Sequence, residues 1–174
     1  MGIFLHFNPV HQERMINQTL EQMGLQSNTK LQAFSKLHQA HFTTALKMFQ
    51  DNPVFGQGPN LFRKLCSEDQ FNVPSACTTH PHQIYLELLA EGGLIAFIPV
   101  FFIFLYLVVQ LIRHTLKIWI PSFSKFQAYS DAQVCLMLAV MITLWPLIPT
   151  GSFFTNNWIG GIYYLPVGLL LSKT

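Results

Sequence analysis

A long apolar run over residues 92–112 limits what this chain can fold into more than any other feature of its sequence. An α-helix of about 20 residues crosses the hydrocarbon core of a bilayer, and this run has that length. Gln110 is the one strongly polar residue in the run. The run therefore predicts a membrane-spanning helix, and Pro99 within it is expected to kink that helix.

Two shorter apolar runs complete the predicted membrane region. They cover residues 132–148 and 154–172, and the second is long enough for a span only if the residues near its start contribute. The composition agrees, because charged residues make up only 10% of the chain, against about 25% in soluble proteins. We therefore predict an all-α polytopic membrane protein, with three transmembrane helices in residues 85–174 preceded by a helical loop region over residues 1–84.

The basic residues of the predicted loops set the orientation of these spans. Arg113, Lys117 and Lys125 lie in the loop 113–130, whereas the loop between the second and third spans carries no charge. By the positive-inside rule, loop 113–130 and the C-terminus face the cytoplasm, and residues 1–84 lie outside it. Since the N-terminus lacks the features of an export signal, we expect the chain to begin partway through a larger protein.

Helical periodicity predicts two helices in the loop region, over residues 12–25 and 31–50. In the second helix, Phe42, Ala45 and Leu46 share one face with Phe49, which predicts that this face is buried. Pro53 follows and ends the helix, because the residue before a proline avoids the helical conformation.

Two histidines stand where the loop region meets the first span. Pro81 fits the first position of a helix, which would place His80 at the cap and His82 in the first turn. Unpaired backbone N–H groups there, together with the helix dipole, favour an anion such as a diphosphate. A neutral imidazole beside that anion could take a proton from a sugar hydroxyl. Alternatively, both histidines simply cap and solvate the start of the helix.

Other charged residues near these histidines could take part in the same chemistry. Glu87 and Glu91 are four residues apart on one helix face, and paired carboxylates can transfer protons. They could instead solvate the helix or meet basic residues elsewhere. Arg63 follows a Gly-Gln-Gly turn, and its guanidinium suits phosphate oxygens. Arg14 is a second candidate for the same contact, or a charge on a helix surface.

The cysteines and the net charge limit which kinds of site and which functions are possible. Cys66 and Cys77 flank a short loop outside the cytoplasm, where an oxidising compartment favours a disulfide. The same cysteines could instead bind zinc with His80 and His82, although the spacing lacks the paired repeats of a zinc module. Cys135 lies within a predicted span and suits a small apolar position. A net charge of +2 without a basic stripe excludes a nucleic-acid-binding protein.

Two segments together resemble the O-antigen ligase and polymerase family. Residues 46–63 resemble its helix, its Asn-Pro-hydrophobic-Gly-x-Gly turn and the Phe-Arg that follows. Residues 79–95 resemble its pattern H-N-x-Y-L-x-x-L-A-E-x-G-x-x-G. In that pattern His82, Glu91 and Gly93 match the histidine, the glutamate and the first glycine of the closing pair.

The sequence departs from the family pattern at two positions, with Gln83 for the usual asparagine and Ala96 for the final glycine. The resemblance extends over residues 10–172. It implies a polytopic protein of the bacterial inner membrane with a large periplasmic loop. Such proteins move glycan from an undecaprenyl-diphosphate carrier to an acceptor glycolipid, without a nucleotide sugar, a metal or another cofactor. Family members carry more spans than the three predicted here.

The resemblance also implies roles for the residues that it matches. His82 would act as general base, or as orienter, for the acceptor hydroxyl. Arg63 would bind the diphosphate or the sugar, together with Arg14 and His80. The junction between the loop region and the first span would be held by four structural positions: Glu91, Gly93, Gly56 and Gly58. Between the two activities of the family, polymerase is slightly favoured over ligase by analogy alone.

Two functions of other classes stay open on the sequence. A non-catalytic membrane subunit for assembly or glycan binding would need neither His82 nor Arg63. A transporter fragment would be favoured by ionisable residues in the middle of a span, and the sequence has none there.

Overall fold

A computed structural model gives the fold and describes residues 34–154 and 157–172. All regular structure within these ranges is helical, as predicted. The predicted helix 12–25 and Arg14 lie outside the described residues. The elements in chain order are α1 (Lys36–Asp51), α2 (Phe62–Leu65), α3 (Ile84–Glu87), a π-helical turn (Leu88–Gly92), α4 (Gly93–Trp119), a 3₁₀ turn (Pro121–Phe123), α5 (Asp131–Thr143) and α6 (Asn157–Leu171).

Helix α1 begins at Ser35, whose side chain accepts a hydrogen bond from the backbone N–H of His38. Its buried face differs from the predicted one. Ala45 is buried as predicted, but Leu46 is 42% exposed. The other buried positions are His41, Thr44 and Met48. Two of these three are polar and bond to the loop 66–77, so a count of apolar residues alone could not find this face.

The predicted helix start at Pro81 is wrong. Helix α3 begins at Ile84, and the side chain of Gln83 caps it by accepting from Leu86 N at 2.7 Å. His82 has φ of 58°, in the left-handed region, and therefore lies before the helix. The prediction failed because proline is equally suited to a turn, and only the backbone of His82 decides between the two.

One helix in the described part of the chain is long and apolar enough to cross a membrane. It joins α3, the π-helical turn and α4 into 36 residues, from Ile84 to Trp119, and continues through Pro99. The second predicted span is shorter than expected, since α5 has 13 residues and ends at Thr143. Pro146 and Pro149 follow that end and oppose further helix. Helix α6 has 15 residues.

Two hydrophobic clusters meet at the π-helical turn. The first lies between α3, α4 and α5 and includes Leu88. The second lies under α1 and the loop 66–77 and includes Ala90. The turn therefore fixes the loop region against the membrane helix, and the candidate site lies at this junction.

Candidate functional site

The turn after α1 is hydrogen-bonded along the π-helical turn. The backbone N–H groups of Gln57 and Gly58 donate to the carbonyls of Ala90 and Glu91, both at 2.8 Å. In the opposite direction, Leu94 N donates to the carbonyl of Pro53 at 2.9 Å. The Gly-x-Gly turn thus takes up backbone groups that the interrupted helix leaves unpaired.

The buried carboxylate of Glu91 also accepts hydrogen bonds from the backbone of the same turn. Its Oε2 accepts from Asn60 N at 2.7 Å and its Oε1 accepts from Phe62 N at 3.0 Å. Glu91 is 1% exposed, so it does not solvate the helix surface. Because Phe62 begins α2, this contact sets the position of Arg63, which is exposed and donates from Nη2 to Asn60 Oδ1 at 3.2 Å.

Glu87 holds a second segment at the same end of the membrane helix. Its Oε1 accepts from Ser152 Oγ at 2.5 Å and its Oε2 from Phe153 N at 2.7 Å. Glu87 is also 1% exposed. Nearby, Thr150 N donates to the carbonyl of His82 at 2.9 Å. Sequence reasoning missed this link, because it joins residues 65 positions apart.

Cys66 and Cys77 are joined by a disulfide, with their Cα atoms 5.2 Å apart. The loop that it closes packs on α1 through the carbonyls of Phe71 and Ala76. These accept from Thr44 Oγ1 at 3.0 Å and from His41 Nδ1 at 2.8 Å. Since the disulfide uses the sulfurs of both Cys66 and Cys77, neither of these cysteines is available to bind zinc. The disulfide therefore anchors the segment that leads into His80.

Breaking the disulfide is expected to lower the free energy of unfolding by about 2–3 kcal/mol, because cross-linking so short a loop restricts the unfolded chain by about that much. The double variant Cys66→Ala/Cys77→Ala of the full-length protein in detergent tests this by thermal unfolding. Cys135→Ala is the control, since Cys135 is a free cysteine. Equal stabilities of the double variant and the wild type under oxidising conditions would contradict the expectation.

Four histidine rings gather beside this anchored segment. From the ring centre of His82, those of His80, His41 and His38 lie 4.2, 5.4 and 5.9 Å away. The sequence prediction had named His80 and His82 only. His38 and His41 are three residues apart on α1, and this spacing was the signal that could have found them.

The environment favours the neutral form of three of these imidazoles, those of His38, His80 and His82. Burial, followed by the neighbouring rings of His80, His41 and His38, lowers the pKa of His82 to about 4. Burial also lowers the pKa of His80, with a smaller contribution from the charge of Arg63. The backbone of Thr150 opposes that lowering, although it makes no hydrogen bond of normal geometry with the ring. The His80 ring thus lies close enough to Arg63 for the charge of its guanidinium to act on it.

The structure brings together most of the residues that the sequence singled out. The charge of Arg63 acts on His80, whose ring lies 4.2 Å from that of His82, and Glu91 bonds to the backbone of Phe62 next to Arg63. The helix start at Pro81, on which the predicted anion site depended, is not formed, and at the observed start the Gln83 side chain already accepts from the N–H of Leu86. Within the described residues, no group of histidine, cysteine and acidic side chains is arranged to hold a metal ion.

Comparison with known proteins gives one match. A family model described as O-Antigen ligase matches residues 15–101, which is half of the chain. The match contains the Gly-x-Gly turn, both cysteines of the disulfide and all four clustered histidines, and Arg14 lies one residue before it. No curated protein and no solved structure matches the chain.

Proposed function

The chain belongs to the O-antigen ligase family, whose members act on lipid-linked glycans at membranes, and we propose that it carries the outer catalytic loop of an inner-membrane glycosyltransferase. Its donor would be a glycan on undecaprenyl diphosphate, and its acceptor a sugar hydroxyl of a glycolipid. One observation carries the proposal: the imidazole of His82 makes no hydrogen bond among the described residues and lies 4.2 Å from the ring of His80, on which the charge of Arg63 acts. The lowered pKa of His82 leaves this ring free to take a proton.

The proposed reaction is a direct displacement at the anomeric carbon. His82 takes the proton of the acceptor hydroxyl, and the acceptor oxygen forms the new glycosidic bond. The bond between the anomeric carbon and the diphosphate breaks, and undecaprenyl diphosphate leaves with the electron pair. Arg63 binds the diphosphate oxygens and stabilises the charge that grows on them. Arg14 and His80 are proposed as further contacts to the diphosphate or the sugar.

Donor binding would also activate the base. A pKa of about 4 makes free His82 a weak base, because catalytic bases work best with a pKa near the operating pH. A diphosphate bound next to Arg63 brings negative charge close to the ring and raises the pKa of His82. The histidine would therefore become an effective base only in the presence of donor.

An open apolar groove of about 370 Å³ next to Gln83 suits the lipid part of the carrier. It lies between α1 and the start of the membrane helix, and its walls include the side chains of Phe42, Tyr85 and Phe97. Gln83, which lines this groove, directly follows His82 in the sequence. The first isoprene units of the carrier would lie there while the diphosphate reaches the histidines.

The proposed topology follows the charges of the loops. Residues 1–84 would lie in the periplasm, and loop 113–130 and the C-terminus in the cytoplasm. Helices α5 and α6 would form two further spans. Their lengths of 13 and 15 residues require that neighbouring non-helical residues complete the crossing, which is tolerated where they are packed against protein. The polymerase reaction, with a second carrier-linked glycan as acceptor, is kept as the favoured form.

A transfer assay with the full-length protein in liposomes tests the proposal through Arg63. The donor is glycan on undecaprenyl diphosphate, and the readouts are elongated glycan and released carrier. Arg63→Ala is expected to raise KM for the donor by about tenfold to a hundredfold, as for loss of a charge-assisted hydrogen bond. Lys64→Ala is the matched control, since Lys64 is the next residue of α2 and equally exposed. A wild type that binds donor without transfer would instead favour a glycan-binding subunit.

A further inference from the structure

His41 is the one fully buried ring of the histidine cluster, at 3% exposure. Its Nδ1 lies 2.8 Å from the carbonyl of Ala76, which belongs to the segment anchored by the disulfide. Because a carbonyl can only accept, Nδ1 carries the proton and the neutral ring keeps an unprotonated Nε2. His41 is therefore fixed in both place and tautomer.

His82, in contrast, depends on its neighbours for its orientation. Its backbone is held in the left-handed region, where its carbonyl accepts from Thr150 N. A non-glycine residue in that region persists only where the surroundings enforce it. Within the described residues, its imidazole makes ring contacts and no hydrogen bond. In the described part of the chain, the contacts that orient that ring are therefore those with the rings packed around it.

Among the three neighbouring rings, His41 is best able to supply that support. His38 and His80 are partly exposed, and each bonds through Nδ1 to a hydroxyl on its own segment, those of Ser35 and Thr79. Both can move together with those segments. His41 is bonded across to a different segment, and its ring is tilted by 48° against that of His82 at 5.4 Å.

We propose that His41 is a positioning residue for His82, and that it holds the imidazole of His82 in the orientation from which this ring can take a proton from the acceptor. The inference rests on the proposed function. It assigns to α1 a part in the reaction that neither the sequence motifs nor the family match gives it. His41 touches no reacting atom in this role and acts through His82 alone.

The charges around His82 set the direction of the expected pH effect. His38 and His41 face it from α1, His80 faces it from its own segment, and Arg63 acts on His80. His41 lowers the pKa of His82, after burial and His80. Removing the His41 ring takes away that contribution and part of the burial of His82. The pKa of His82 then rises, and the acid limb of its titration moves to higher pH.

His41→Asn tests the proposal in the full-length protein. Asparagine keeps an N–H that can donate to the Ala76 carbonyl but removes the ring beside His82. We expect kcat for glycan transfer to fall by about tenfold to a hundredfold with little change in KM, as for a misplaced catalytic group. The acid limb of kcat/KM should also move to higher pH. Thr43→Ala is the control, since Thr43 is exposed on the same helix. Wild-type kcat and an unmoved acid limb in His41→Asn would overturn the proposal.

A second measurement does not depend on activity. Diethyl pyrocarbonate modifies neutral imidazoles, so the rate of His82 modification against pH, followed by peptide mass spectrometry, reports the pKa of His82 directly. We expect the midpoint to be higher in His41→Asn than in wild type and Thr43→Ala. If the wild type transfers no glycan but the midpoint is still higher in His41→Asn, the proposed function is rejected and the coupling of the His41 and His82 rings is supported. Identical midpoints would reject the coupling whatever the activity. His41→Gln replaces the first variant if that one is not recovered from membranes.

Discussion

Replacing His82 with alanine in the full-length protein is expected to lower kcat for glycan transfer by about 10²–10⁴-fold, the usual contribution of a general base. KM for the donor should change little, because the main contact to the diphosphate is the one proposed for Arg63. A transfer assay in liposomes with saturating donor measures both constants. The variant should still fold, since the ring of His82 makes no hydrogen bond within the described residues and its main-chain carbonyl still accepts from Thr150 N.

The pH profile adds a signature that loss of structure would not produce. The pKa of free His82 is lowered from 6.5 to about 4, so the ring is neutral above this pH and takes up a proton as the pH falls through it. Transfer should therefore be lost on the acid side. The acid limb of kcat/KM reports the free protein, whereas that of kcat reports the complex with donor. Since a diphosphate bound as proposed would raise the pKa of His82, the limb of kcat should lie at higher pH.

His114→Ala is a suitable control for His82→Ala. His114 also lies beyond one end of the apolar run, but at the far end of α4, where its Nδ1 accepts from Tyr129 N. Its loss should leave transfer unchanged. If His82→Ala transfers glycan at the wild-type rate, His82 is not the base, and a non-catalytic role of the outer loop would become the better hypothesis.

The sequence predicted the elements of this fold better than their ends. The apolar run 92–112 was found because about 20 apolar residues have few other uses. The start of the helix was misplaced, since Pro81 suits a turn as well as a first helical turn. The π-helical turn could not be foreseen either. It depends on the partners of its carbonyls, Gln57 and Gly58, which lie more than 30 residues earlier in the chain.

The sequence singled out candidate residues where position or motif marked them. His82 stood out at the start of the first span and Arg63 after the Gly-Gln-Gly turn, and the resemblance then matched both segments. His41 was missed because a polar residue on an amphipathic helix is ordinarily assigned to solvent. Its burial depends on the Ala76 carbonyl, 35 residues away. The link from Glu87 to Ser152 is longer still. Contacts of this kind join segments that local patterns treat separately, and local patterns therefore give the parts of this site without their arrangement.

The largest effect on folding is expected from Gly93→Ala, which should lower the free energy of unfolding by more than about 4 kcal/mol, a loss seen only for severe local disruption. Gly93 has φ of 62° and ψ of −161°, a combination adopted almost exclusively by glycine. A Cβ atom there would overlap the carbonyl group of Val54 and lie 2.6 Å from Gly56 N. Neither is the end of a flexible side chain. The turn over residues 53–62 would therefore have to separate from the π-helical turn, and Glu91 would lose its hydrogen bonds with Asn60 N and Phe62 N.

Gly168→Ala is the matched control, because Gly168 lies in α6 and a Cβ atom there would meet nothing within 4 Å. Alanine is the better helix former, so this change should be neutral or stabilising by up to about 1 kcal/mol. Thermal unfolding in detergent, together with the yield of each variant from membranes, compares the two. A Gly93→Ala protein as stable as Gly168→Ala would show that the turn over residues 53–62 does not rest on the membrane helix. The positions assigned to Arg63 and Glu91 would then fail with it, since the carboxylate of Glu91 bonds to the backbone of that turn just before Arg63.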